Sequence, residues 1–196
     1  MTPTIACVLK SGGVYTADHV QRLKDNVSRH IGEHRFVCLS DIDVPCERIP
    51  LKHDWNGWWS KIELFRPDLF DGPVLYMDLD VIVTGDLMPL IARDGFIITT
   101  DWWGGKFQSS VMSWNGGQPF YQMFAPEIHM QIAGGDQEYI YRCAPKSRRY
   151  PDGLVVSYKA HCKDGLPDNA RIVCFHGSPK QWEVKDDWVI KEMGEI

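Results

Sequence analysis

The sequence predicts an α/β fold with a mostly parallel central sheet and helices on both faces. Three observations carry that prediction. Short apolar, strand-like runs recur along the chain, segments with helical spacing fall between them, and Gly, Pro and Asp turn signals separate the two. The 196 residues, 44% hydrophobic and 24% charged, are enough for one domain with its own core. Residues 1–196 are read as that single domain, without internal repeat, low-complexity tract or linker.

The elements follow in order. Residues 4–9 read as a strand closed by the turn Ser11-Gly12-Gly13. Residues 17–31 read as a helix, because Val20, Leu23, Val27 and Ile31 share one face. Residues 36–39 form a second strand, and 46–51 a short third. Residues 58–65 read as a helix stopped by Arg66-Pro67. Residues 74–77 are the most strand-like run of the chain, 81–83 repeat the pattern, and 87–91 suit a helical turn. Strands are expected over 96–99 and 109–114, helices over 119–124 and 136–141, and last strands over 155–158 and 171–175.

Composition excludes several function classes. The net charge is −5 and no long basic run exists, so nucleic acid is not expected as a partner. The densest basic spot is Arg148-Arg149, with Lys146 nearby. No apolar run approaches the roughly 20 residues of a transmembrane helix. The N-terminus lacks the basic and apolar regions of a signal peptide. None of the six cysteines forms a C-x-x-C pair, and Cys7, Cys38 and Cys174 lie in strand-like runs. That pattern fits buried, reduced thiols and a cytoplasmic protein.

The chemistry is expected at residues 74–87, V-L-Y-M-D-L-D-V-I-V-T-G-D-L. Ligands of open α/β sheets bind at the carboxyl ends of the strands, where Asp78 and Asp80 stand. With period two both carboxylates point one way while Leu79 points into the core. Two carboxylates so close repel unless a cation lies between them, and Mn²⁺ or Mg²⁺ suits such oxygen ligands. The plain alternative is a pair of solvated turn aspartates. Two enzyme classes use this pattern. Phosphohydrolases of the haloacid-dehalogenase type carry it near the N-terminus, with Thr or Val two places after the second Asp. Here Ile82 holds that place and about 75 residues come first. Nucleotide-sugar glycosyltransferases place a mononucleotide-binding half before it.

The tail of the last strand reads C-F-H-G-S-P-K-Q-W over residues 174–182. Lys61 lies in W-W-S-K-I-E-L-F-R-P, and Gly134-Gly135-Asp136-Gln137 opens a late helix. With the Asp pair, these motifs make nearly the full chain resemble GT-A fold glycosyltransferases of the family-8 type, the glycogenin and lipopolysaccharide galactosyltransferase group. The resemblance implies a UDP-sugar donor, a metal held by Asp78, Asp80 and His176, and retention of anomeric configuration. It implies that Lys180 and Gly177 meet the diphosphate and that Lys61 neutralises donor phosphate. The sequence departs from the family by a shorter step from His176 to Lys180, and by Gln181 where Pro is usual. Asp136 would accept sugar hydroxyls, with Gln137 beneath the anomeric carbon. Asp136 also reads as a helix N-cap. Lys10 and Tyr15 sit in the loop that holds the uridine in the family, with Asp41 as a further base or ribose candidate. Gln108 replaces an Asn that touches the sugar, and Asp101 is a candidate for a sugar hydroxyl.

The acceptor would be a glycan or protein. Trp55, Trp58 and Trp59, and the pair Trp102-Trp103, suit an acceptor groove, while core packing is the expectation for Trp58, Trp114 and Trp188. Residues 183–196 lack a basic, aromatic membrane-docking tail, which favours a soluble acceptor. A sugar- or nucleotide-binding module without turnover is the alternative from outside the enzymes.

Overall fold

The computed structural model describes residues 2–194. In chain order the strands are β1 Thr4–Leu9, β2 Arg35–Ser40, β3 Glu47–Pro50, β4 Val74–Met77, β5 Val81–Val83, β6 Gly95–Thr100, β7 Phe107–Asn115, β8 Arg148–Arg149, β9 Val155–Ser157 and β10 Ile172–Cys174. The helices are α1 Ala17–Ser28, α2 Pro126–Ile132, α3 Asp136–Cys143, α4 Tyr158–His161 and α5 Asp187–Met193. Seven strands form the main sheet in the order β3-β2-β1-β4-β7-β6-β8, and β5-β10-β9 form a second, smaller one. The run from β3 to β4 is parallel, and β7 is inserted antiparallel between β4 and β6.

Period two builds the two faces of the main sheet. Ile5, Cys7, Leu9, Leu75 and Met77 pack with Val20, Leu23 and Val27 of α1. Ala6, Val74 and Tyr76 point the other way, into an aromatic layer with Trp59, Phe65, Trp114 and Phe120. Burial on both faces explains why β1 and β4 read as continuous apolar runs rather than as alternating ones.

The first helix ends at Ser28, three residues short of the expected bound. The Arg29 N–H caps it on Asn26 and Val27 carbonyls, and Ile31 reaches the core from the following turn. Residues Gly57–Phe65 form a 3₁₀ helix rather than an α-helix, and Trp59 through Phe65 are all buried. Glu63 anchors this segment. Its carboxylate is fully buried and accepts from the backbone of Lys52 at 2.7 Å, that of His53 at 2.9 Å and Arg66 Nη1 at 2.7 Å.

The helix expected over 119–124 is a series of turns, and the helix lies at α2 instead. Phe120 and Phe124 are drawn into the aromatic layer, and Tyr139 Oη holds the Phe120 carbonyl at 2.8 Å. Pro126 then starts α2 from its first turn, where a missing N–H costs nothing. Tyr158 belongs to α4, not to the strand before it. The Arg148-Arg149 spot is an edge strand, with Arg148 on Asp94 at 2.7 Å and Arg149 over the Phe107 ring. All six cysteines are free thiols, and burial pushes those of Cys7 and Cys174 well up. Among the described residues, no helix is long and apolar enough to cross a membrane.

Candidate active site

The two Asp residues stand at the seam between the sheets. β4 ends at Met77 in the main sheet, and β5 begins at Val81 in the second. The three residues between are pinned by backbone. Asp78 N–H donates to the Ser110 carbonyl at 2.8 Å, Leu79 O accepts from Gln181 at 3.0 Å, and Asp80 O accepts from Phe175 N at 2.9 Å. Leu79 is buried in the core, while both carboxylates face a cavity of about 880 Å³.

That cavity gathers most of the residues the sequence singled out. Lys10, Tyr15, Lys61, Asp78, Asp80 and Gln108 line it, as do Asp136, Gln137, His176 and Gly177. Asp101, Trp102, Trp103 and Lys180 do not line it. Asp101 instead accepts the Gly104 N–H at 2.6 Å and shapes the turn after β6. Trp58 is corrected from core to surface: it is 56% exposed and lines the cavity, its indole lying on Gly135, where a Cβ would come within 3.1 Å. Trp114 is buried as expected, and Trp188 partly so.

Positive charge already stands on the carboxylates. Lys61 is 8% exposed, and its ammonium reaches Asp136 Oδ2 at 2.9 Å, Asp78 Oδ1 at 3.3 Å and Ser109 Oγ at 3.0 Å. Burial pulls its pKa down, but Asp136 and Asp78 more than offset this and hold it above the usual lysine range. Tyr76 Oη also donates to Asp78, at 2.5 Å. Asp80 accepts from Lys180 Nζ at 2.5 Å and from Tyr15 Oη at 2.8 Å. Burial, then the neighbouring Asp78, raises the Asp80 carboxyl above the usual range, with Lys180 opposing.

The remaining candidates have defined partners as well. Asp136 is the first residue of α3, not its cap; Glu138 takes the capping role by accepting the Gly134 N–H at 2.8 Å. Asp136 is thereby left free to face Lys61. Lys10 pairs with Asp41 at 2.6 Å and Asp54 at 2.9 Å. Asp41 also accepts the Ser11 N–H and hydroxyl, so it fastens the loop Lys10–Tyr15 rather than facing the cavity itself. Gln108 and Ser110 satisfy each other, at 2.7 and 2.6 Å.

His176 is half-buried between aromatic rings, stacked on Trp102 at 5.0 Å and edge-on to Trp103 at 4.9 Å. Its Nε2 meets Ser157 Oγ at 2.8 Å. Burial first, then Lys159, pushes its pKa down to about 4, against the opposing Asp101. The unfolded chain therefore binds a proton between about pH 6.5 and 4 that the native chain refuses. Stability should fall as pH drops through that window, and His176→Asn should flatten the fall. Urea melts of both proteins at pH 7 and pH 4.5 measure it; parallel slopes would refute the expectation.

The donor set suits a hard divalent ion by type: two carboxylates and an imidazole that stays neutral at pH 7. A hydrogen-bond partner on the other ring nitrogen, as the Ser157 hydroxyl provides, is usual for a ligating histidine. The three side chains are not drawn together here. Among the described residues, no group of three His, Cys, Asp or Glu is placed to hold a metal ion.

No family model and no curated protein matches this sequence. Solved structures do match. The glycosyltransferase GlyE of Streptococcus pneumoniae TIGR4 superposes with a TM-score of 0.73 at 15% identity, over 98% of this chain and 61% of that one. An active-site mutant of LgtC gives 0.69 at 12% identity over 96% and 93%, and the galactosyltransferase LgtC with donor and acceptor sugar analogs gives 0.67 at 14% over 98% and 96%. This chain has the GT-A fold. In that GT-A frame it spans about 60% of the GlyE chains and nearly the whole of LgtC. The phosphohydrolase alternative belongs to another fold. The Lys180–Asp80 pair, Ser157 behind His176, and the position of Lys159 were not legible from local sequence, because each joins segments far apart in the chain.

Proposed function

We propose that the chain is a metal-dependent, retaining glycosyltransferase, moving a sugar from a UDP-sugar to a hydroxyl of a glycan or protein acceptor. The observation that carries the reading is one cavity lined by Asp78, Asp80, Asp136, Gln137 and His176 at the carboxyl end of β4. Its fold is that of LgtC, solved with donor and acceptor sugar analogs.

Asp78, Asp80 and His176 would hold the cation, preferably Mn²⁺ or else Mg²⁺. When bound, such an ion supplies Lewis-acid stabilisation of charge on a leaving diphosphate. The chain's own residues do the rest. Lys61 fixes Asp78 and Asp136 in one geometry, so its neutralising role acts through the carboxylates. Asp136 receives sugar hydroxyls through its second oxygen. Gly177, with φ of +72°, lets the backbone approach the diphosphate. The loop bearing Lys10 and Tyr15 closes the nucleotide end. Gln137 is exposed to the cavity, and its amide is a poor nucleophile. Retention is therefore assigned to front-face attack, with the leaving phosphate taking the acceptor proton. A trapped glycosyl adduct on any side chain would contradict that assignment.

The test is a calorimetric titration of UDP with Mn²⁺ and again with EDTA. Micromolar binding that requires the metal is expected. Binding indifferent to metal, or none in either condition, would overturn the reading.

A further inference from the structure

Lys159 lies in α4, directly after β9. It is half-buried, and a Cβ on Gly177 would come within 3.2 Å of its Nζ. Gly177 lines the cavity and Lys159 does not, so the ammonium stands behind that glycine, at the cavity's edge. The Trp103 ring lies 5.9 Å from the same Nζ, and Trp103 rests on His176. This geometry places a cation next to His176 and Gly177.

The other lysines around the cavity are already matched. Lys10 is paired with Asp41 and Asp54, Lys61 with Asp78 and Asp136, and Lys180 with Asp80. Among the described residues, Lys159 makes no ion pair. The short step from His176 to Lys180 explains the difference. It delivers Lys180 to the cavity-lining Asp80 and over the Tyr15 ring, with the Phe175 carbonyl at 3.3 Å, so that its charge is matched by a carboxylate.

We propose that Lys159 is the ammonium that binds the diphosphate of the donor, in the place the His-Gly-Lys motif would give to Lys180. The proposal rests on the donor reading above. It gives Gly177 a second role: any side chain there would stand between the bound phosphates and Lys159. The competing view is a solvated lysine whose stem covers Trp103, which predicts no effect on nucleotide binding.

The experiment titrates UDP with Mn²⁺ into the wild-type chain and into Lys159→Met and Lys159→Gln, with the melting temperature as fold check. A charge-assisted contact to phosphate is expected to be lost, weakening UDP by about tenfold or more at unchanged melting temperature. UDP bound as tightly by both variants as by wild type would overturn the inference and leave the donor reading standing. A wild-type chain that binds no UDP would overturn the donor reading, and the inference with it.

Discussion

Replacing Lys61 by methionine is expected to destabilise the protein by about 3–5 kcal/mol, the cost of leaving buried charge without its partner. Lys61 is the joint of a triad in which it and Asp136 are buried and Asp78 is partly exposed. Its ammonium lies 2.9 Å from Asp136, which is 4% exposed, and 3.3 Å from Asp78. Methionine fills nearly the same space, so packing is kept while the charge is removed. Two carboxylates are then left side by side, with the Tyr76 hydroxyl still donating to Asp78 and Ser109 Oγ losing the ammonium it accepted from. The sign with pH follows from the raised lysine pKa. The stabilisation is fully present below the unfolded value near 10.4 and is lost as pH rises through the higher folded value. Urea unfolding at pH 7 measures the effect. Adding Asp136→Asn to Lys61→Met should return part of the loss, because one of the stranded charges goes with it. A single-variant loss under about 1 kcal/mol would mean that water reaches the triad and the pair is not truly desolvated.

Asp80→Asn is expected to lower sugar transfer by about 10²–10³-fold or more, with a much smaller change in stability. The contrast with Lys61 comes from the charge balance. The Asp80 carboxyl is already held above its usual range by burial and by Asp78, so a neutral amide relieves repulsion while giving up contacts from Lys180 and Tyr15. Thermal melts and transfer assays on the same preparation separate the two effects. Metal-dependent UDP binding should disappear with activity. Retained UDP and sugar binding in this variant would favour a binding module without turnover.

Much of this arrangement can be read from local sequence. The bounds of β1 and β4 follow from unbroken apolar runs, and the two core faces follow from period two. Asp78 and Asp80 on one side of Leu79 follow from the same geometry, as does their place at a strand's carboxyl end. Local signals failed where long-range packing outweighed them. Residues 119–124 have helical character, yet Phe120 and Phe124 are claimed by aromatic rings from other elements and the helix starts later, at Pro126. Trp58 reads as core, but Gly135 offers its indole a flat seat at the cavity wall.

By itself, the sequence determined which residues are buried along β1 and β4 and that Asp78 and Asp80 share one side of their segment, because neighbours in the chain set side-chain direction. The tertiary structure alone decided which cation each carboxylate meets. Lys180 lies 100 residues from Asp80, Lys61 meets Asp136 at the start of α3, and Lys159, just after β9, stands beside Gly177, just after the neighbouring strand β10. Charge pairing around a partly buried cavity is settled by distance in space, and no local pattern records it.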